Sequence, residues 1–252
     1  MTPLIPDWPA PPHVRAVITT RRGGISRAPY ESLNLAQHVG DDPQHVMRNR
    51  QRLREACDLP SEPFWLQQVH GCQVADSGSD QAGCEADAVL SRQPGQVCAV
   101  LTADCLPLLI TDREGREVCA VHAGWRGLAA GVVESAVSRL SSPPQALLVW
   151  LGPAIGPDAF EVGAEVREAF VSQAAEDEQA FRGNKQGRWQ ADIYRLARLR
   201  LQRLGVGYVG GGEYCTWSQS SLFYSYRREG VTGRMASLIW LEQVSTDSNC
   251  ED

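Results

Sequence analysis

Three side chains in this sequence could act together on one chemistry. Cys105 and His122 both lie in VCAVLTADCLPLLITDREGREVCAVHAGWRGL, from Val97 to Leu128, and His70 stands earlier in QVHG. Taken singly, each has an ordinary explanation: a cysteine among apolar residues is usually a small packed hydrophobe. Together, one sulfur and two imidazoles at junctions between apolar runs and turn formers are the donor types of a zinc site, at about 2.3 Å for Zn–S and 2.0 Å for Zn–N. Three protein ligands leave a fourth position open, the pattern of a catalytic rather than a structural zinc.

The elements that must position them can be read from the same stretch. Two runs rich in Val, Leu and Ile flank DREG, which is a hairpin signal. With Asp112 to Gly115 as the loop, Thr111 faces Arg116 and Cys105 falls opposite His122, where Cβ atoms of facing residues are about 4.5–5.5 Å apart. A one-residue change in loop length would put the two on opposite faces. The segment PFWLQQVHGCQVAD reads as a strand, a tight turn at Gly71 and a second strand, which places His70 at the turn.

Elsewhere the pattern is that of an α/β protein. The strand VRAVITT precedes a long turn-rich segment, RRGGISRAPYESLNLAQHVGDDP, of a length that is often functional. Asp41 or Asp42 followed by Pro43 marks a helix start, and the helix runs to about Cys57 with Val46, Leu53 and Cys57 inward. LAAGVVESAVSRL, EVGAEVREAFVSQAAEDEQAF and ADIYRLARLRLQRLG read as helices, and ALLVWLGPAIG as a buried strand. SLFYSYRREGVTGRMASLIWLE reads as two strands around a glycine turn. Gly205, Gly207 and Gly210 satisfy GxGxxG but follow a helix and precede a strand, the reverse of a dinucleotide fingerprint; Gly205 reads as a helix C′ residue. The expected fold is α/β, a single domain over residues 1–252 with mixed, largely antiparallel β-sheets and helices packed outside. Residues 1–13 and 244–252 are expected to be irregular.

Composition narrows the function classes. The 252 residues are 43% hydrophobic and 21% charged, with net charge −6 and pI near 5.4. That argues against a nucleic-acid partner, which calls for a basic stripe. No apolar run approaches the roughly 20 residues of a membrane span, and MTPLIPDWPAPP lacks the regions of a signal peptide, so the expected location is cytoplasmic. Eight cysteines without a CxxC pair fit neither a disulfide framework nor a zinc finger.

QVHG, TADCLPLL, VHAGWRGL, LGPAIGP, the early TTRRGGIS…SLNLAQHVGDDP and the late YSYRREGVTGRMASLIWL together resemble the YfiH/YlmD family, related to the vertebrate laccase-domain protein. The resemblance spans about residues 15–241. It implies zinc on His70, Cys105 and His122, and phosphorolysis of purine nucleosides, with adenosine deamination and methylthioadenosine cleavage also attributed to the family. Its older name is multicopper polyphenol oxidase, and bacterial members have been linked to peptidoglycan editing.

Phosphorolysis requires an anion site, for which arginine's planar fork of donors is suited. The candidates are Arg22 in TTRRGG, Arg126 beside His122, and Arg227 or Arg228. Gly124 and Gly127 would let backbone approach a ligand there. Asn34 and Gln68 could contact ribose or base. Deamination requires water activated near neutral pH, which a three-ligand zinc supplies, and a carboxylate that moves protons. The HxE…PCxxC signature of known zinc deaminases is absent, and Asp104 is the candidate, as that base or as a group orienting a ligand; strand alternation equally allows it to point away.

Three other readings compete. A multicopper oxidase needs more imidazoles than the five present, and is rejected. A Cys–His thiol hydrolase or amidase, acting for example in peptidoglycan precursor editing, would use Cys105 as nucleophile and His122 as base. A non-catalytic, zinc-stabilised binding protein would need a fourth protein ligand, such as Cys215 or Asp104.

Overall fold

The computed structural model describes residues 2–243, so the expectation for 244–252 lies outside the described residues. In chain order the strands and helices are β1 (Val14–Ile18), α1 (Pro43–Cys57), β2 (Val74–Asp76), β3 (Ala88–Ser91), β4 (Cys98–Thr102), β5 (Leu106–Asp112), β6 (Val118–Ala123), α2 (Trp125–Ala130) and α3 (Val132–Arg139). They continue with β7 (Leu147–Leu151), β8 (Glu161–Val162), α4 (Ala164–Val171), β9 (Phe181–Gly183), β10 (Trp189–Ala191), α5 (Ile193–Arg203), β11 (Tyr208–Gly211), α6 (Tyr226–Glu229) and β12 (Met235–Leu241). A six-stranded sheet has the order β11-β7-β5-β6-β3-β2, and three-stranded sheets have the orders β1-β12-β4 and β8-β10-β9. The β11–β7 and β2–β3 pairs are parallel and the remaining ladders antiparallel.

Side-chain alternation along β5 explains the layering. Leu108 and Ile110 point into a core shared with α3 and α5, through Val133, Ala136, Leu196 and Leu201. Leu109 between them joins the opposite core, which unites the six-stranded sheet with Ile18, Val100 and Ile239 of the β1-β12-β4 sheet. The far face of that smaller sheet meets Leu53 of α1. Both central layers are covered on each face, so strands such as β5 and β6 are apolar throughout rather than alternating. Among the described residues no helix is long and apolar enough to cross a membrane.

The β5–β6 hairpin forms, with a register two residues from the expected one: Thr111 faces Val118, and His122 faces Pro107. Asp112 is the cause. Its side chain accepts from the Arg116 and Glu117 N–H groups, so the loop extends beyond Gly115. Because the displacement is even, Cys105 and His122 keep the same face and become diagonal rather than direct neighbours.

Four other expectations change. The helix expected over EVGAEVREAFVSQAAEDEQAF divides into β8, α4 and a 3-10 turn over Ala175–Ala180. Residues 63–70 form only isolated bridges, Phe64 to Cys98 and Gln67 to Glu85, in place of a strand. The first of the two late strands is replaced by α6, capped by the Ser225 side chain accepting from Arg228 N–H and ended at Gly230. The helix expected over LAAGVVESAVSRL is broken into α2 and α3 at Gly131, whose φ of 96° favours glycine.

Candidate active site

β6 carries His122 to its C-terminal end, where the His122 backbone N–H donates to Asp87 O at 2.7 Å. The Asp87 carboxylate, fully buried just ahead of β3, meets His122 Nδ1 at 2.7 Å. In the neutral ring Nδ1 therefore carries the proton, leaving Nε2 free to offer its lone pair, the arrangement in which a carboxylate orients a metal-ligating histidine. The same carboxylate accepts from three consecutive N–H groups, of Val69, His70 and Gly71, at 3.2, 2.9 and 2.6 Å. These bonds hold His70 at φ 60°, a conformation uncommon outside glycine. One side chain thus sets both imidazoles. Burial opposes the charge of Asp87, and hydrogen bonds from His122 and Gly71 outweigh it, so its pKa lies below the ordinary carboxylate value.

Cys105 follows the corner between β4 and β5. Its Sγ lies 3.8 Å from His70 Nε2, and one donor atom from each of His70, Cys105 and His122 falls within 4.8 Å of the others. This is the one such His/Cys/Asp/Glu cluster among the described residues, and one sulfur plus two nitrogens so spaced fit a divalent metal ion. Burial opposes ionisation of the thiol, but the adjoining His122 and His70 bring it down to about 6. Burial likewise opposes the imidazolium, while Cys105 and Asp87 raise His122 to about 9.

Gly124 and Gly127 serve the ligands themselves. A Cβ at Gly124 would lie 2.9 Å from His70 Cδ2 and 3.0 Å from Cys105 Sγ, and one at Gly127 would lie 2.8 Å from Gly71 O. Only with these two glycines can α2 close over the His70 turn.

The cluster opens into a cavity of about 440 Å³, within the range of small-molecule sites. Of the candidate substrate-binding residues, Gln68, Arg126 and Arg227 line it. Gln68 spends its amide on the Leu101 backbone, donating to O at 2.9 Å and accepting from N–H at 2.7 Å. Arg126 rests over the Trp125 ring, and Arg227 donates to Glu161 O. Asp104 borders the cavity, but its carboxylate is engaged by Thr216 Oγ1 at 2.6 Å, Ser225 Oγ at 3.1 Å and the Arg227 N–H at 2.7 Å. Its φ of 87° turns it from the β4–β5 path, so it ties the cysteine corner to α6 rather than facing the reacting space as a base.

Arg22 and Asn34 do not line the cavity. Arg22 is exposed and donates to Ser221 O. Asn34 is fully buried, donating to Ala36 O and Asp41 and accepting from the Ala36 and Arg234 N–H groups. Arg228 is likewise consumed, by Thr216, Trp217 and Phe223 carbonyls. The sequence reading missed Asp87, Arg234, His38 and Tyr226; the last three border the cavity. Asp87 had one signal, an acid immediately ahead of the apolar run AVL. Arg234 and Tyr226 were hidden inside a stretch read as strand.

A family model described as multi-copper polyphenol oxidoreductase laccase matches residues 15–242. The chain is 57% identical over 240 residues to "Purine nucleoside phosphorylase PA4543" of Pseudomonas aeruginosa, covering 95% of this chain and 98% of that one. It is 54% identical over 241 residues to "Purine nucleoside phosphorylase YfiH" of Escherichia coli, covering 94% and 98%. The crystal structure of Neisseria meningitidis protein NMB0706 superposes with a TM-score of 0.92 at 47% identity over 96% of this chain and all (100%) of that one. YlmD from Geobacillus stearothermophilus gives 0.88 at 30% identity, covering 96% and 100%. The chain belongs to this laccase-like YfiH family.

Proposed function

We propose that this chain is a zinc-dependent purine nucleoside phosphorylase acting on adenosine, inosine, guanosine and methylthioadenosine, with adenosine deaminase activity at the same site. The observation that carries the reading is the union, in one cavity, of a His–Cys–His donor set with several cationic side chains. The names of the relatives at 57% and 54% identity support it.

In phosphorolysis an oxygen of hydrogen phosphate bonds to the anomeric carbon. The glycosidic C–N bond breaks with its electron pair on the purine, and the proton of hydrogen phosphate ends on the released base beside ribose 1-phosphate. The chain's residues would bind and neutralise the phosphate, hold the nucleoside against Tyr226, Trp125 and Phe160, and exclude water from the reacting carbon. His70, Cys105 and His122 would hold zinc, with Asp87 fixing the tautomer of His122. Zinc so held supplies a Lewis acid at its open position.

Incubation with adenosine, with and without phosphate, tests this by separating adenine from inosine. Phosphate-dependent adenine with ribose 1-phosphate is expected. Inosine alone, regardless of phosphate, would overturn phosphorolysis in favour of deamination.

A second reading has a specific observation behind it. The lowered Cys105 and raised His122 pKa values describe a thiolate–imidazolium pair, as a Cys–His hydrolase requires. Absence of stoichiometric zinc, with rapid alkylation of Cys105, would select that reading; bound zinc and a protected thiol select the phosphorylase. A purely structural zinc lacks support, because neither Cys215 nor Asp104 joins the donor cluster.

A further inference from the structure

The cavity has a wall that the metal cluster does not touch. It is built from the start of β12, where Arg234 precedes Met235, and from the loop between Asn34 and Gly40, which carries His38. Arg234 is half-buried, and among the described residues it pairs with no carboxylate. Its guanidinium is only half used: Nη1 donates to Thr232 O at 2.8 Å and Gly233 O at 3.0 Å. Nε and Nη2 have no protein partner among the described residues and are not buried orphans. They form the edge of the guanidinium that binds phosphate in bidentate fashion. A partly buried, unpaired cation attracts an anion more strongly than a solvated one.

The surroundings hold this edge in place. The Arg234 N–H donates to Asn34 Oδ1 at 3.0 Å. Asn34 is locked by Asp41 and by Asn49, whose Nδ2 donates to Asn34 O at 2.9 Å. His38 lies exposed at the rim with no hydrogen-bond partner among the described residues. Burial, with the cations Arg234 and Arg50, holds its pKa below the ordinary value, so His38 would meet an anion as a neutral N–H donor. The other two arginines of the cavity, Arg126 and Arg227, are exposed, so water competes with an anion for them more than for half-buried Arg234, whose guanidinium carbon lies 5.8 Å from the Tyr226 ring centre.

We infer that the Nε/Nη2 edge of Arg234, with His38 at the rim, is the seat of inorganic phosphate, and that Asn34 is its positioning residue. The assignment of phosphate as co-substrate rests on the phosphorylase reading; the anion seat is tested without turnover.

Titration of inorganic phosphate into the full-length protein, followed by calorimetry, gives the affinity directly. Arg234→Gln is expected to weaken binding about tenfold or more, the order for losing charge-assisted hydrogen bonds. Arg234→Lys should recover part of it as a point charge, and Arg126→Gln and Arg227→Gln should each change it less than about threefold, as solvated charges do. His38→Gln, at an exposed position that cannot disturb the core, should weaken binding about two- to threefold, a check independent of any folding defect in Arg234→Gln. In turnover the Arg234→Gln loss should appear in KM for phosphate rather than in KM for adenosine.

Absence of phosphate binding by the wild type, or Arg234→Gln and His38→Gln binding as the wild type does, would overturn the seat. Arg234-dependent phosphate binding without adenine release would sink phosphorolysis and leave the seat standing. Phosphorolysis with an unchanged phosphate KM in Arg234→Gln would do the reverse.

Discussion

The two walls of the cavity are stiffened by different physics. On one, a single buried charge answers four donors: Asp87 takes His122 Nδ1 and the N–H groups of residues 69–71. On the other, neutral amides do most of the holding: Asn34 and Asn49 satisfy one another, Ser26, Asp41 and the Arg234 backbone. The first wall grows from central strands of the six-stranded sheet, the second from a long loop and a strand end. Metal ligands tolerate little misplacement, and a carboxylate bonded on several sides gives little freedom. An anion seat needs its neighbours uncharged, because a carboxylate beside Arg234 would occupy the fork that phosphate is to take.

The contrast between the walls breaks most readily at Asp87. Asp87→Asn keeps the shape, removes the charge and presents an amide NH₂ to donors that need an acceptor. Metal affinity or turnover should fall about 10- to 100-fold, as when outer partners of metal-bound histidines are lost, measured by chelator competition and kcat/KM. An unchanged metal affinity would show that the carboxylate does not organise this wall. Acid titration sharpens the point. Because the folded pKa of Asp87 is depressed, its stabilisation is complete above about pH 4 and is lost as pH falls through the folded value. The Tm difference between wild type and Asp87→Asn should therefore narrow below about pH 4.

Gly127→Ala should have the next largest effect. On an open helix the change is stabilising, but here the methyl lies 2.8 Å from Gly71 O. Overpacking should cost about 1–3 kcal/mol in urea unfolding, and the displaced His70 turn should weaken metal retention. A stabilised protein with full metal would show that α2 and the turn can separate freely. Asn34→Ala should act least on the metal. It leaves the Arg234 N–H without its acceptor, a loss of about 1–3 kcal/mol, and should raise the phosphate KM while metal content stays stoichiometric. Loss of metal in this variant would mean that the two walls are not independent.

How much of this could be read from sequence follows the same division. His70, Cys105 and His122 were legible because the chain has only five histidines and all three residues sit at turns or strand ends. Asp87 was not, since an acid ahead of a strand looks like any turn residue until four donors converge on it. Asn34 was singled out in the right loop but for a different role, since it carries Arg234 rather than a ribose. The hairpin register failed because Asp112 reaches over its own loop to two N–H groups, a contact no apolar pattern encodes. Of the two late strands the second forms as β12, whereas the Ser225 cap and Gly230 fix one helical turn in place of the first.

Asp104 has a consequence for the order in which the molecule comes into being. Its carboxylate is answered by Thr216, Ser225 and Arg227, more than a hundred residues downstream (separations of 112, 121 and 123), and β12 must still insert between β1 and β4. A nascent chain released as far as β11 therefore owns all three ligand side chains yet lacks what pins the cysteine corner. Products that stop short of Thr216 carry the Cys105 thiol and both imidazoles without the contacts that close the corner around them.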